Sequence, residues 1–262
     1  DNFECTPDVY NDPANYYSPN EFQVGDETQK LIHYTIIFQT FVMMQIFNQF
    51  DITIEIGSDF NKYRRLLLEH RPQQPLGPPF DPNIHQLNAK NAFWLIAKGP
   101  DGAVIHTQAM RVLDLKSFSL ADHLRESFRG FTPVGPDIDL AASRYRAGPG
   151  AQKICGTVCY HGELWMDDRL GAYRGSGLSA VLGRFAFLIC VKQLSPDYVF
   201  GFVARPVIFK GLAERLGYMH SEPASIRWRL HNKDRALEGF MVWMARDDLQ
   251  FMMTIPLVDL VA

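Results

Sequence analysis

Hydrophobic and polar positions divide this chain into three textures. Residues 1–26, rich in Asp, Asn, Pro and Tyr, follow neither a period of 2 nor one of 3.6 and read as loop or disorder. From Leu31 to Phe47 the run LIHYTIIFQTFVMMQIF is apolar except for His33, Thr35, Gln39, Thr40 and Gln45. It falls just short of the about 20 residues needed to cross a bilayer core, and a membrane helix carrying glutamines would sit inside a bundle. From Ile52 onward, short strand-like and helix-like patterns alternate, which predicts an α/β domain.

Within that body Ile52, Ile54 and Ile56 alternate with Thr53 and Glu55 as a strand. Asp59 then caps a helix on which Phe60, Tyr63, Leu66 and Leu67 share a face, ending near His70. The prolines between Pro72 and Pro82 force a loop, either a wall of a binding site or a passive connection. Strands are predicted over Ala92 to Lys98 and Ala103 to Leu113, joined by the turn Gly99-Pro100-Asp101-Gly102. A helix follows over Leu120 to Phe128, then an irregular, glycine- and proline-rich excursion from Gly130 to Ala151. The tail supplies strands over Ser225 to His231 and Gly239 to Arg246, with Met219, Met241, Met244, Met252 and Met253 as core filler.

Charge sharpens the boundary near residue 50. The first 50 residues carry seven acids and one base, a net −6, and the rest a net +3 within a total of −3. The absence of a basic excess argues against nucleic acid as a partner. Four cysteines, Cys5, Cys155, Cys159 and Cys190, make no disulfide framework; a reducing, cytoplasmic setting is the simpler reading. Cys155, Cys159 and His161 lack the second ligand pair of a structural zinc site, so no metal is expected. The start has no basic-then-apolar signal pattern.

The most informative stretch runs from Lys153 to Tyr218. A strand ends in Gly162-Glu163-Leu164-Trp165-Met166, and the turn Arg174-Gly175-Ser176-Gly177-Leu178-Ser179 opens an apolar helix to about Gln193. A strand over Tyr198 to Ala204 and a helix over Val207 to Leu216, begun at Pro206 and closed by Gly217, complete it. No Lys-Ser/Thr pair follows the glycines, so this is not a P-loop; Ala180 occupies the position of the third glycine of a dinucleotide fingerprint. What remains is Arg-x-x-Gly-x-Ser at a helix N-terminus, a cradle suited to a pyrophosphate.

These residues resemble the acyl-CoA loop of the GCN5-related N-acetyltransferase superfamily, Gln/Arg-x-x-Gly-x-Gly/Ala, with Arg174, Gly177 and Ser179 at the motif positions. Leu216-Gly217-Tyr218 matches that family's Leu-Gly-Phe ending, and the similarity spans about residues 52–246. The resemblance implies a mixed, mostly antiparallel sheet flanked by helices, with acetyl-CoA as co-substrate. It implies direct attack of an amine on the thioester between two splayed middle strands. Met166, Arg174, Gly175, Ser176, Gly177, Leu178 and Ser179 would then hold the CoA, mainly through backbone amides. Glu163, and His161 two residues earlier on the same strand face, are the candidate bases; a packed carboxylate and imidazole are the plain alternative. The family's proton-donating tyrosine position holds Ala213, and Tyr218 is out of register for that role. The acceptor would be a small-molecule or peptide amine, its pocket formed by loops such as 71–90 and 130–151, and a homodimer is the assembly to test. A non-catalytic CoA-binding or regulatory module of the same fold is the alternative.

Separately, residues 27–50 resemble one transmembrane helix of plasma-membrane-type P-type calcium ATPases. That likeness frames residues 1–50 as an acidic leader plus apolar helix, foreign or fused to a 51–262 acyltransferase-like domain. It also supplies a further alternative, a membrane-anchored fragment related to such a pump, with residues 31–47 as the only route to a membrane. No Asp-Lys-Thr-Gly phosphorylation motif accompanies it.

Overall fold

The computed structural model describes residues 21–167, 176–231 and 234–257, with side chains from Tyr34 onward in the first helix. That helix, α1, spans Glu21–Gln49, so the helix begins inside the segment read as loop. Then come β1 (Thr53–Gly57), α2 (Phe60–His70), β2 (Ala92–Lys98), β3 (Val104–Leu115), α3 (Leu120–Ser127), β4 (Ile138–Tyr145) and α4 (Pro149–Lys153). β5 (Gly156–Met166), α5 (Leu178–Leu194), β6 (Tyr198–Ala204), α6 (Arg205–Ile208) and α7 (Leu212–Leu216) follow, before β7 (His220–Leu230), β8 (Ala236–Ala245) and α8 (Arg246–Thr254).

The strands form one mixed sheet in the order β1-β2-β3-β5-β6-β8-β7-β4, antiparallel throughout except between β5 and β6. That is the mostly antiparallel α/β architecture expected from the sequence. Local chemistry explains the elements that were legible. Asp59 accepts from the N–H groups of Asn61 and Lys62 at 2.9 and 3.0 Å, starting α2. Ser119 and Asp122 form a reciprocal capping box on α3. The β2–β3 turn closes through Gly99 N–H to Ala103 O at 2.9 Å, with Gly102 at φ +76°.

Helices cover both sheet faces. On one side α5 lays Leu178, Val181, Leu182 and Phe185 against Leu95, Met110 and Val199. On the other, α2 and α3 bury Phe60, Tyr63, Leu67 and Leu124 against Trp94, Ile96 and Tyr160. The last turns of α1 join the α5-side core: Met43, Ile46 and Phe47 are buried, and Phe47 meets Phe185 edge to face at 5.4 Å. Gln39 is buried there and donates to the Met253 carbonyl at 3.3 Å. Among the described residues no helix is long and apolar enough to cross a membrane.

Four details depart from the sequence reading. The excursion 130–151 contains β4, an edge strand with a single buried position, whose register break between Asp139 and Arg144 erases any alternation. The helix expected over Val207 to Leu216 is two short ones, because Gly211 adopts φ +73° between them. Met219 is exposed rather than core filler. Cys155 is disulfide-bonded, a state that carries no local signature in the sequence; Cys159 and Cys190 are free and buried.

Candidate functional site

The parallel ladder of β5 and β6 is short. It pairs Val158 with Tyr198, Cys159 with Val199 and Tyr160 with Phe200, and stops there. Beyond that point β5 stays on β3 and β6 stays on β8, so the two strands diverge toward their C-terminal ends. Gly201 stands at the fork: a Cβ on it would lie 2.9 Å from the His161 carbonyl oxygen and 3.4 Å from the Tyr218 hydroxyl. The fork opens into a cavity of about 430 Å³ whose walls include Tyr160, His161, Gly162 and Glu163 from β5 and Gly201 and Phe202 from β6. Its outer wall comes from the two loops the sequence nominated, through Pro75, Gly77 and Pro79 and through Phe131, Thr132 and Pro133.

The sequence places His161 and Glu163 on one strand face by simple alternation. The structure separates them. Glu163 has φ +56°, and the β3–β5 register slips between Thr107 and Ala109, so β5 bulges and throws Glu163 to the α2 side. There its carboxylate pairs with the fully buried Arg71 at the end of α2, and its Oε1 accepts from Gly77 N–H at 2.8 Å. The bulge itself is pinned by Thr107 Oγ1 donating to the Glu163 carbonyl at 2.9 Å. With both carboxylate oxygens engaged, Glu163 ties the proline-rich loop to the sheet.

His161 faces α5, packed edge to face on Phe187 at 5.3 Å. Its Nε2 lies 2.9 Å from Gln108 Oε1 and its Nδ1 2.9 Å from the Tyr218 hydroxyl. Gln108 donates through Nε2 to the Leu182 carbonyl at 2.8 Å, which leaves its oxygen to accept. That orientation assigns the proton of the neutral ring to Nε2, so Nδ1 accepts from the tyrosine O–H. Burial lowers the His161 pKa to about 4 and pushes the Tyr218 phenol well above its usual range, so both are neutral at ordinary pH. His106, buried on β3 near them, is lowered to about 3 by the same cause.

The segment expected to cradle an anion is described in part. Arg174 and Gly175 lie outside the described residues. Gly177 caps α5 at φ +72°, a left-handed conformation that glycine adopts without strain. Its carbonyl accepts from Ala180 and Val181 N–H at 2.9 and 3.2 Å, while Leu178 N–H meets Ser176 Oγ at 3.3 Å. Leu178 buries its side chain in the core, which leaves only its backbone at the helix end; Ser179 is half-buried on the same turn. α5 links the C-terminal end of β5 to the start of the parallel β6, which sets its N-terminus at the end of the sheet where the fork opens. Met166 closes β5 opposite His106 and packs toward the α5-side core. Among the described residues no group of three or more His, Cys, Asp or Glu side chains is placed to hold a metal ion.

No family model matches this chain. No curated protein matches it either. Solved structures do. An Arabidopsis thaliana NAA60 structure in complex with acetyl-CoA is 13% identical, covering 75% of this chain and 99% of that one at a TM-score of 0.43. A spermidine N-acetyltransferase from Vibrio cholerae, in complex with CoA and spermine, is 9% identical over 76% and 98% at 0.39. An N-acetyltransferase from Staphylococcus aureus is 12% identical over 74% and 97% at 0.39. Identities and scores this low assign no activity to the present chain.

Three residues of the site escaped the sequence reading. Gln108 sits in a segment read only as strand and Arg71 at the first position of the loop 71–90, where it was not singled out; a lone buried polar residue has no local signature. Tyr218, set aside for its register in the sequence, reaches the cavity wall because Gly217 at φ +98° turns the chain back onto His161.

Proposed function

We propose that this chain is an acyl-CoA-dependent N-acyltransferase, with acetyl-CoA as co-substrate and an amine as acceptor. The observation that carries the reading is the fork: a parallel pair that parts at Tyr160 and Phe200, beside a glycine-capped helix N-terminus. A slot between two strands accepts an extended thioester arm, and the helix end attracts the phosphates at its far end. The CoA-holding residues are proposed to be the backbone of Ser176, Gly177, Leu178 and Ser179, with Arg174, Gly175 and Met166 beside them.

In the reaction the amine nitrogen attacks the thioester carbonyl carbon, a C–N bond forms, and the C–S bond breaks. One proton leaves nitrogen and one reaches the departing sulfur. Neither candidate base is free to meet the amine directly: Glu163 is held by Arg71 and Gly77, and His161 by Gln108 and Tyr218. In this proposal His161 acts through Tyr218, whose oxygen stands beside Gly201 at the fork. The phenol oxygen takes the proton from the amine nitrogen as its own O–H proton passes to the departing thiolate, so the buried pair gains no net charge, and His161, too weak a base to keep the proton, orients the hydroxyl.

The test is release of free thiol from acetyl-CoA across a panel of amines, alongside calorimetric titration with CoA. Thiol release that depends on amine supports the proposal; CoA binding with no turnover for any amine would replace it with a non-catalytic CoA-binding module.

A further inference from the structure

The wall of the cavity facing away from α5 is aromatic. Phe131 meets Tyr160 edge to face at 4.8 Å and Phe202 edge to face at 5.6 Å, while Tyr160 and Phe202 are 6.4 Å apart. Trp228 extends this wall from β7. The second row is apolar too: Phe80 and Phe200 lie behind Tyr160, at 5.6 and 5.2 Å, both fully buried. Phe131 and Phe202, by contrast, are only half-buried although they belong to this cluster, which fits rings with one side turned to the cavity.

Charge completes the picture. Among the described lining residues the only charged side chains are Glu163 and Glu238. Each is paired with an arginine, Glu163 with the buried Arg71 and Glu238 with Arg205 at 2.8 Å. A polycationic acceptor would need unpaired carboxylates to replace the water around its second and third ammonium groups, and these two are already neutralised. An aromatic or branched apolar group instead finds ring edges and faces at the spacings aromatic groups prefer.

Resting on the acyltransferase reading, we infer that the acceptor is a small primary amine carrying one aromatic ring or an apolar group of similar size, and not a polyamine. The ring sits against Phe131, Tyr160 and Phe202, and the amine points to the fork at Gly201. A cavity of about 430 Å³ is large enough for such an acceptor together with the end of the thioester arm.

The experiment compares kcat/KM for phenethylamine, ethylamine and spermidine in the thiol-release assay on the full chain, with CoA titrated separately by calorimetry. The expected result is a kcat/KM for phenethylamine at least tenfold above both others. In Phe131→Ala the phenethylamine-to-ethylamine ratio should fall at least fivefold, and in Phe131→Leu, which keeps apolar volume, by less. Spermidine equal to or better than phenethylamine, with CoA bound and thiol released, would overturn the acceptor class and leave the acyltransferase reading standing. An unchanged ratio in Phe131→Ala would do the same. Absence of CoA binding and of turnover with every amine would overturn both.

Discussion

Replacing Glu163 by Gln separates a structural carboxylate from a catalytic one. The side chain is 9% exposed and its partner Arg71 is 0% exposed, with Nε and Nη1 of the guanidinium lacking hydrogen-bond partners among the described residues. Removing the negative charge leaves a buried cation uncompensated, which in such pairs costs about 3–5 kcal/mol. Spread over a domain of this size, that is a fall in Tm of about 6–20 °C. The geometry also predicts rescue. Replacing both partners by apolar residues, as in Arg71→Met with Glu163→Leu, removes the charge that needed pairing and should recover at least half of the loss. The assay is urea unfolding of the wild type, Glu163→Gln and the double variant at pH 7.5, with CoA binding measured on each. A Glu163→Gln variant as stable as the wild type would refute the anchoring role. Turnover abolished at unchanged stability would return Glu163 to the position of base.

The remaining predictions concern the cradle, the phenol and the buried imidazoles. Tyr218→Phe removes the hydroxyl at the fork and should lower kcat by about a hundredfold, the lower end of the range for a single proton-transfer group, with KM for acetyl-CoA changed less than threefold. A larger effect on KM than on kcat, in steady-state kinetics, would mean the residue only shapes the pocket. Gly177→Ala forces a side chain into a left-handed backbone, so stability should drop by about 1–2 kcal/mol and CoA affinity severalfold; unchanged affinity by calorimetry would remove the helix cap from the site. For pH, His106 and His161 have folded pKa values of about 3 and about 4 against 6.5 unfolded. The unfolded chain therefore takes up these protons first, and stability present above pH 6.5 is lost as pH falls toward 4. The urea midpoint should drop between pH 7 and pH 5, less steeply in His161→Gln; a flat midpoint would contradict the burial of these rings.

What could be read from the sequence was what is local. The Asp59 cap, the Gly99–Gly102 turn and the Gly177 helix start each depend on a few neighbouring residues, and each appears where the pattern put it. The two cavity loops were also legible, because clustered prolines and glycines have no regular alternative. The arrangement of the site was not. Alternation put Glu163 beside His161, but one bulge, fixed by Thr107 some 56 residues away in sequence, moved it to the opposite face. Tyr218 reaches the cavity wall through a fold-back at Gly217, which its distance from the preceding helix does not reveal. The apolar run of α1 was ambiguous because burying Met43, Ile46 and Phe47 against Phe185 and crossing lipid demand similar composition. Only the partner elements distinguish the two.

The most direct test is a crystal structure of the chain with acetyl-CoA. The thioester is expected at the fork, between Tyr160 and Gly201 and within reach of the Tyr218 hydroxyl, with the pyrophosphate at the Gly177 end of α5. Acetyl-CoA bound anywhere else on the molecule, or a fork left empty at saturating ligand, would contradict it.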